Sequence, residues 1–131
     1  MSEQSRFEKG AAIISKLFGS AGGRTTLSED FRKITVEHLF GSIWSRPGLE
    51  LQERSMITLT TLFVLGREAE LRVHLRGARN LGIPRAKIEE MLIHLAHYGG
   101  WPVAASGFRV LDEVFAAMDS EAKEGARVEK V

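Results

Sequence analysis

Apolar residues recur at helical intervals along most of the chain, and no stretch alternates apolar and polar positions over strand length without a better helical reading. The pattern predicts an all-α chain of about six helices. Phe7, Ala11, Ile14 and Phe18 line one face of a helix over 7–18. Gly19-Ser20-Ala21-Gly22-Gly23 then reads as a flexible loop. Ser28 followed by Glu29 and Asp30 is an N-cap with acids in the first turn, where the helix dipole favours negative charge. That helix is expected to reach Trp44 and stop before Arg46-Pro47-Gly48, since a residue ahead of proline avoids the α region. The segment 50–65 is apolar almost all round from Met56 onward, which predicts a buried central helix ended by Gly66. A helix over 68–81 follows, with Leu71, His74, Ala78 and Leu81 on one face and Arg72, Arg76 and Arg79 on the other. Asn80-Leu81-Gly82 is its stop signal. Pro84 opens a helix striped with Ile88, Met91, Leu92, Leu95 and Tyr98, closed by Gly99-Gly100. Pro102 opens the last helix, whose inward residues include Phe108, Leu111 and Phe115. From Asp119 the chain is charged and poor in apolar residues, so the ordered domain is expected over about 5–118, with a frayed tail at 119–131.

The length of 131 residues suits a single domain able to bury about two-thirds of its unfolded surface. Lysine and arginine total 18 against 17 aspartate and glutamate, a near-balance that argues against nucleic acid or an anionic membrane as partner. The absence of cysteine excludes disulfides, thiolate metal sites and thiol nucleophiles. The polar start and the lack of a long apolar run make a cytoplasmic protein the expectation. So much apolar surface on short helices suggests self-association.

Several groupings could carry chemistry. Glu70 and His74 are spaced i,i+4, where a carboxylate raises the proton affinity of an imidazole and fixes its tautomer. The plain alternative is a helix-stabilising pair. Glu90, His94 and His97 share a stripe, but the spacing differs from that of zinc hydrolases and no metal is expected; His94 reads better as a pocket or interface residue. The Arg72, Arg76 and Arg79 stripe is read as solvated or subunit-facing, with Glu68 placed to pair with Arg72. Trp44 beside Arg46 could hold a planar anion, the ring packing and the guanidinium taking a carboxylate. Tyr98-Gly99-Gly100-Trp101-Pro102 could let a ligand or a helix approach closely.

In this order, Ile43-Trp44-Ser45-Arg46-Pro47-Gly48-Leu49, Arg54-Ser55-Met56-Ile57-Thr58-Leu59, Glu70-Leu71-Arg72-Val73-His74-Leu75-Arg76-Gly77-Ala78, Asn80-Leu81-Gly82 and Tyr98-Gly99-Gly100-Trp101-Pro102 with Phe108 resemble the carboxymuconolactone decarboxylase family over nearly the whole domain. The resemblance implies an alkylhydroperoxidase D-like fold around an antiparallel helix pair, assembled as a homohexamer or homotrimer. In the peroxidase branch of that fold a Cys-x-x-Cys precedes a helix histidine. Alignment on His74 places those cysteines at Arg67 and Glu70 and a relay glutamate at Ser55, which excludes peroxidase chemistry. The decarboxylase branch carries Glu70 and His74 as here. Its cofactor-free reaction resembles conversion of γ-carboxymuconolactone to β-ketoadipate enol-lactone in protocatechuate degradation. The resemblance casts His74, oriented by Glu70, as proton donor and Arg46 and Arg54 as carboxylate clamps. Trp44, Tyr98 and Trp101 would wall the substrate ring, with His94 also lining the pocket. One departure is Pro102-Val103-Ala104-Ala105 where Pro-Ala-Ala-Asn is typical, with Trp101 in place of a small aliphatic residue. A relative acting on another small carboxylate, or a non-catalytic oligomeric binding protein, is the alternative expectation.

Overall fold

A computed structural model describes residues 4–19 and 28–129, all of them helix or short connection with no strand among the described residues. Helix α1 (Arg6–Phe18) is followed by α2 (Glu29–Ile34), which runs directly into a π-helical segment (Thr35–Ile43). Then come α3 (Leu51–Leu65), α4 (Glu68–Asn80), α5 (Arg85–Tyr98) and α6 (Trp101–Glu129). Most of the expected loop at 19–23 lies outside the described residues. The boundaries follow local chemistry. The Ser5 hydroxyl accepts the Glu8 amide at 3.1 Å, and the Ser28 hydroxyl accepts that of Phe31 at 3.1 Å. Gly66 ends α3 at φ +68° and Gly82 follows α4 at φ +86°, a backbone region that costs glycine little. Pro84 stands one position earlier than a first-turn proline, as the extended residue before α5.

The principal core joins α3, α4, α5 and α6. Leu59, Leu75, Ile88, Leu92 and Leu111 are sealed from solvent there, each worth about 1.5–3 kcal/mol of apolar burial. A smaller cluster of Ile13, Leu17, Phe40 and Trp44 seats α1 on the π-helical segment.

Three expectations are corrected. The segment 29–43 is not one α-helix: its last nine residues are π-helical. This wider turn coincides with a backbone-to-backbone crossing. A Cβ on Gly10 would stand 1.9 Å from the Val36 carbonyl oxygen, and one on Gly41 would stand 2.1 Å from that of Arg6. The crossing is pinned by Arg6 Nε, which donates to Ser42 Oγ at 2.7 Å. Secondly, α3 is buried on one side only. Ser55, Leu59 and Phe63 face inward, while Ile57 and Leu65 remain 54% and 67% exposed, covered by no element among the described residues.

Thirdly, the arginine stripe of α4 is neither simply solvated nor free for a subunit, because α6 matches it. Arg72 pairs with Glu68 and Glu113, Arg76 with Glu121 at 2.8 Å, and Arg79 with Asp119 at 2.6 Å. The hydrogen bond from Arg72 holds the Glu113 carboxyl below its ordinary range, and that from Arg76 does the same for Glu121. Exposed pairs of this kind contribute about 0–1 kcal/mol each, so apolar packing holds α6 down and the ladder sets its register. Helix α6 continues through Glu129, beyond the last of these pairs at Glu121.

Candidate active site

His74 lies on α4 one turn after Glu70, and the two meet the rest of the molecule differently. Glu70 is exposed, whereas His74 is half-buried with its Nδ1 fully shielded from solvent. Two rings from elements earlier in the chain flank the imidazole, and a third backs them. Phe18, the last residue of α1, meets it edge-on at 5.4 Å between ring centroids. Trp44, which closes the π-helical segment, stacks near-parallel to it at 6.2 Å. Phe40 backs both, 5.5 Å from Trp44 and 6.2 Å from Phe18.

Burial pulls the His74 imidazole below its ordinary range, and the Glu70 charge offsets this only in part. The carboxylate does raise the imidazole's proton affinity as expected, but burial outweighs it. No hydrogen bond joins Glu70 to His74 among the described residues, and Nδ1 has no partner there. Aromatic packing, rather than Glu70, orients the ring.

Arg54, on α3, donates from Nη2 to the carbonyl of Arg46 at 3.0 Å. This bond fastens the turn after the π-helical segment to α3, two residues beyond the indole that covers His74. The Nε of Arg54 is buried without a partner, and so is the hydroxyl of the fully buried Ser55. These two atoms and His74 Nδ1 are the buried side-chain polar atoms left unpaired among the described residues, and all three belong to the packed helices α3 and α4. A buried unpaired polar group costs about 1–3 kcal/mol, and such groups concentrate where a structure keeps donors and acceptors for chemistry.

The other candidates are exposed. The side chain of Arg46 is exposed and lines a cleft of about 440 Å³ against α1. His94 and Tyr98 stack on each other at 5.0 Å and line a second cleft, of about 540 Å³, with Met56, Thr60, Lys87 and Glu90. Tyr98 is 80% and Trp101 70% exposed, and within the chain neither ring packs on His74. Trp101 instead meets His97 edge-on, and His97 Nδ1 lies 2.9 Å from the Ile93 carbonyl oxygen of its own helix. Ala105 is exposed as well, so the lost asparagine opens no gap in the chain's interior. No group of three His, Asp or Glu side chains is placed to hold a metal ion among the described residues. None of the described helices is long and apolar enough to cross a membrane.

Phe18 was not singled out in the sequence. It stands 56 residues before His74, and its apolar stripe marks it only as a core residue. The same holds for Lys9 and Lys16, which look like solvated helix charges until α1 is seated against the 44–51 turn.

Residues 29–113 match the model of the carboxymuconolactone decarboxylase family, a span that takes in Trp44, Arg54, Glu70 and His74. The chain is 31% identical over 121 residues to a 4-carboxymuconolactone decarboxylase of Acinetobacter baylyi, covering 88% of this chain and 90% of that one. It is 32% identical over 104 residues to a nitrosuccinic acid decarboxylase of Metarhizium robertsii, covering 73% and 71%. An uncharacterised 15.0 kDa protein of Paracoccus denitrificans is 30% identical over 88 residues, 66% of each chain.

Proposed function

Because the chain belongs to the carboxymuconolactone decarboxylase family, we propose that it is a carboxy-lyase that needs no cofactor and acts on 4-carboxymuconolactone or a close analogue in aromatic-acid degradation. The observation that carries this reading is the half-buried His74, whose ring is fixed between Trp44 and Phe18 and whose Nδ1 is shielded and unpaired. An imidazole kept from water in this way suits proton delivery to carbon.

In the proposed reaction the bond between the ring carbon and its carboxylate breaks and CO₂ departs. The electron pair passes through the ring alkene to the lactone carbonyl oxygen, and the resulting dienolate takes up one proton at carbon. Arg54, through its unpaired Nε, takes a substrate carboxylate and stabilises the developing negative charge. Trp44 forms an apolar wall that strips water from the leaving carboxylate. His74 supplies the proton. Burial favours its neutral form in the free protein, and an arriving dianion restores the pull towards imidazolium, so proton and substrate enter together. Glu70 assists through its charge.

The nitrosuccinic acid decarboxylase supports a second reading within the same chemistry. A nitro group can accept the electron pair as a lactone does, so a nitro-substituted dicarboxylate is the alternative substrate. We further propose that the protein works as a homo-oligomer, trimer or hexamer, of alkylhydroperoxidase D-like subunits. The uncovered apolar residues Ile57 and Leu65 on α3, Ile93 and Tyr98 on α5 and Trp101 on α6 support this.

The test is CO₂ release from 4-carboxymuconolactone and from nitrosuccinate by the wild type and by His74→Gln. The wild type should turn over at least one of them. His74→Gln should lose about a hundredfold or more in kcat, the scale of a removed general acid, with an unchanged circular dichroism spectrum. A wild type silent on both acids, or a His74→Gln variant within a few-fold of it, would overturn the proposal.

A further inference from the structure

The cleft of about 440 Å³ between α1 and the 44–51 turn has a floor of Ile13, Trp44 and Leu49, and three cations border it. Lys9 and Lys16 lie seven residues apart on α1, about 10 Å along the helix axis, and Arg46 comes from the facing turn. The guanidinium groups of Arg72, Arg76, Arg79, Arg85 and Arg109 each have a carboxylate partner. None of the three cations of the cleft has one among the described residues, and all three are exposed. One carboxylate, that of Glu50, shares the cleft, so the three cations outnumber it. Unpaired positive charges gathered over an apolar floor attract a ligand with an anionic rim and a flat apolar body.

We propose that this cleft binds a small ring-bearing dicarboxylate, at a site distinct from that of His74 and joined to it through Trp44. Lys9 and Lys16 approach from opposite ends and take one carboxylate each, Arg46 closes over the ring, and the ring lies against the floor. The indole that lines this cleft is the one stacked on His74, so a seated ligand restricts the wall of the reaction site. The assignment rests on the proposed function only for the ligand class, an acid resembling the substrate. α1 lies outside the segment matched by the family model.

The probe is benzene-1,4-dicarboxylate, whose carboxylates point in opposite directions and which has no electron sink to drive loss of CO₂. Binding to the full chain is measured by calorimetry. It is also followed through tryptophan emission in a Trp101→Phe background, where Trp44 is the remaining tryptophan. One site per chain is expected, with a change in Trp44 emission. Affinity should fall at least tenfold in Lys9→Gln/Lys16→Gln and at least tenfold for benzoate, and should stay within threefold in His74→Gln. Wild-type affinity in the double lysine variant would overturn the proposal. Loss of binding in His74→Gln with the lysine variant unaffected would also overturn it, since the probe would then occupy the reaction site. Turnover is not part of the readout, so failure of the decarboxylase reading leaves the result interpretable.

Discussion

Replacing Gly41 by alanine should test how α1 shapes the reaction site. In an unconstrained helix the change would stabilise by about 0.5–1 kcal/mol, through reduced backbone entropy of the unfolded chain. Here the new methyl carbon would lie 2.1 Å from the Arg6 carbonyl oxygen, whereas ordinary contact begins near 3.4 Å. The obstacle is backbone, so no side-chain rotation relieves it, and α1 must retreat by about 1.3 Å, the difference between those distances. A gap of 0.5–1 Å already forfeits a quarter to a half of the dispersion well. The residues that lose contact are Ile13 and the fully sealed Leu17. Overpacking of this kind typically costs 1–3 kcal/mol, and partial loss of the Leu17 burial adds to it, so a destabilisation of about 3 kcal/mol is expected.

Urea unfolding measures that quantity directly. Gly125→Ala is the matched control, since a Cβ there would meet nothing within 4 Å and should be neutral or mildly stabilising. Retreat of α1 also withdraws Phe18 from His74, so nuclear magnetic resonance should show the imidazole titrating closer to its ordinary range than in the wild type. A loss under 1 kcal/mol, or an unchanged His74 titration, would refute the reasoning.

Two further outcomes follow from burial. Because His74 binds its proton less tightly folded than unfolded, the unfolded chain holds more protons below its ordinary range, near pH 6.5. Stability should be fully present above that pH and fall as the solution is acidified through the folded-state value; urea midpoints across pH 5–8 should show less of this slope in His74→Phe, and an identical slope would count against a desolvated imidazole. Ile57→Glu or Leu65→Glu should lower the mass seen in analytical ultracentrifugation while helicity is kept, and an unaltered assembly would mean that α3 is not the contact face.

How much could be read in advance depended on the range of the interaction. Ser28, Gly66 and Gly82 announce helix ends because capping and left-handed turns are decided within four residues. The pairing of Glu70 with His74 was legible for the same reason. Its net effect was not, because desolvation comes from Phe18 and Trp44, whose approach depends on how α1 crosses the π-helical segment. That segment was not legible in the apolar spacing, since nine residues make only about two turns, too few to tell one helical period from another. Of the arginine stripe, the pairing of Arg72 with Glu68 was legible at one turn's distance, but the partners of Arg72, Arg76 and Arg79 on α6 lie 40–45 residues away. Tyr98 and Trp101, placed by motif near the substrate, stand at the α5–α6 corner and are exposed in the single chain.

The exposed ladder between α4 and α6 makes ionic strength a selective agent on this molecule. Between about 0.01 and 1 M salt the screening length contracts from 30 to 3 Å, which weakens the links at Glu113, Asp119 and Glu121 together. The interior around Leu75 and Leu111 has no charge to screen. Brine would therefore fray the distal turns of the last helix and leave the centre shut, two independent responses within one chain.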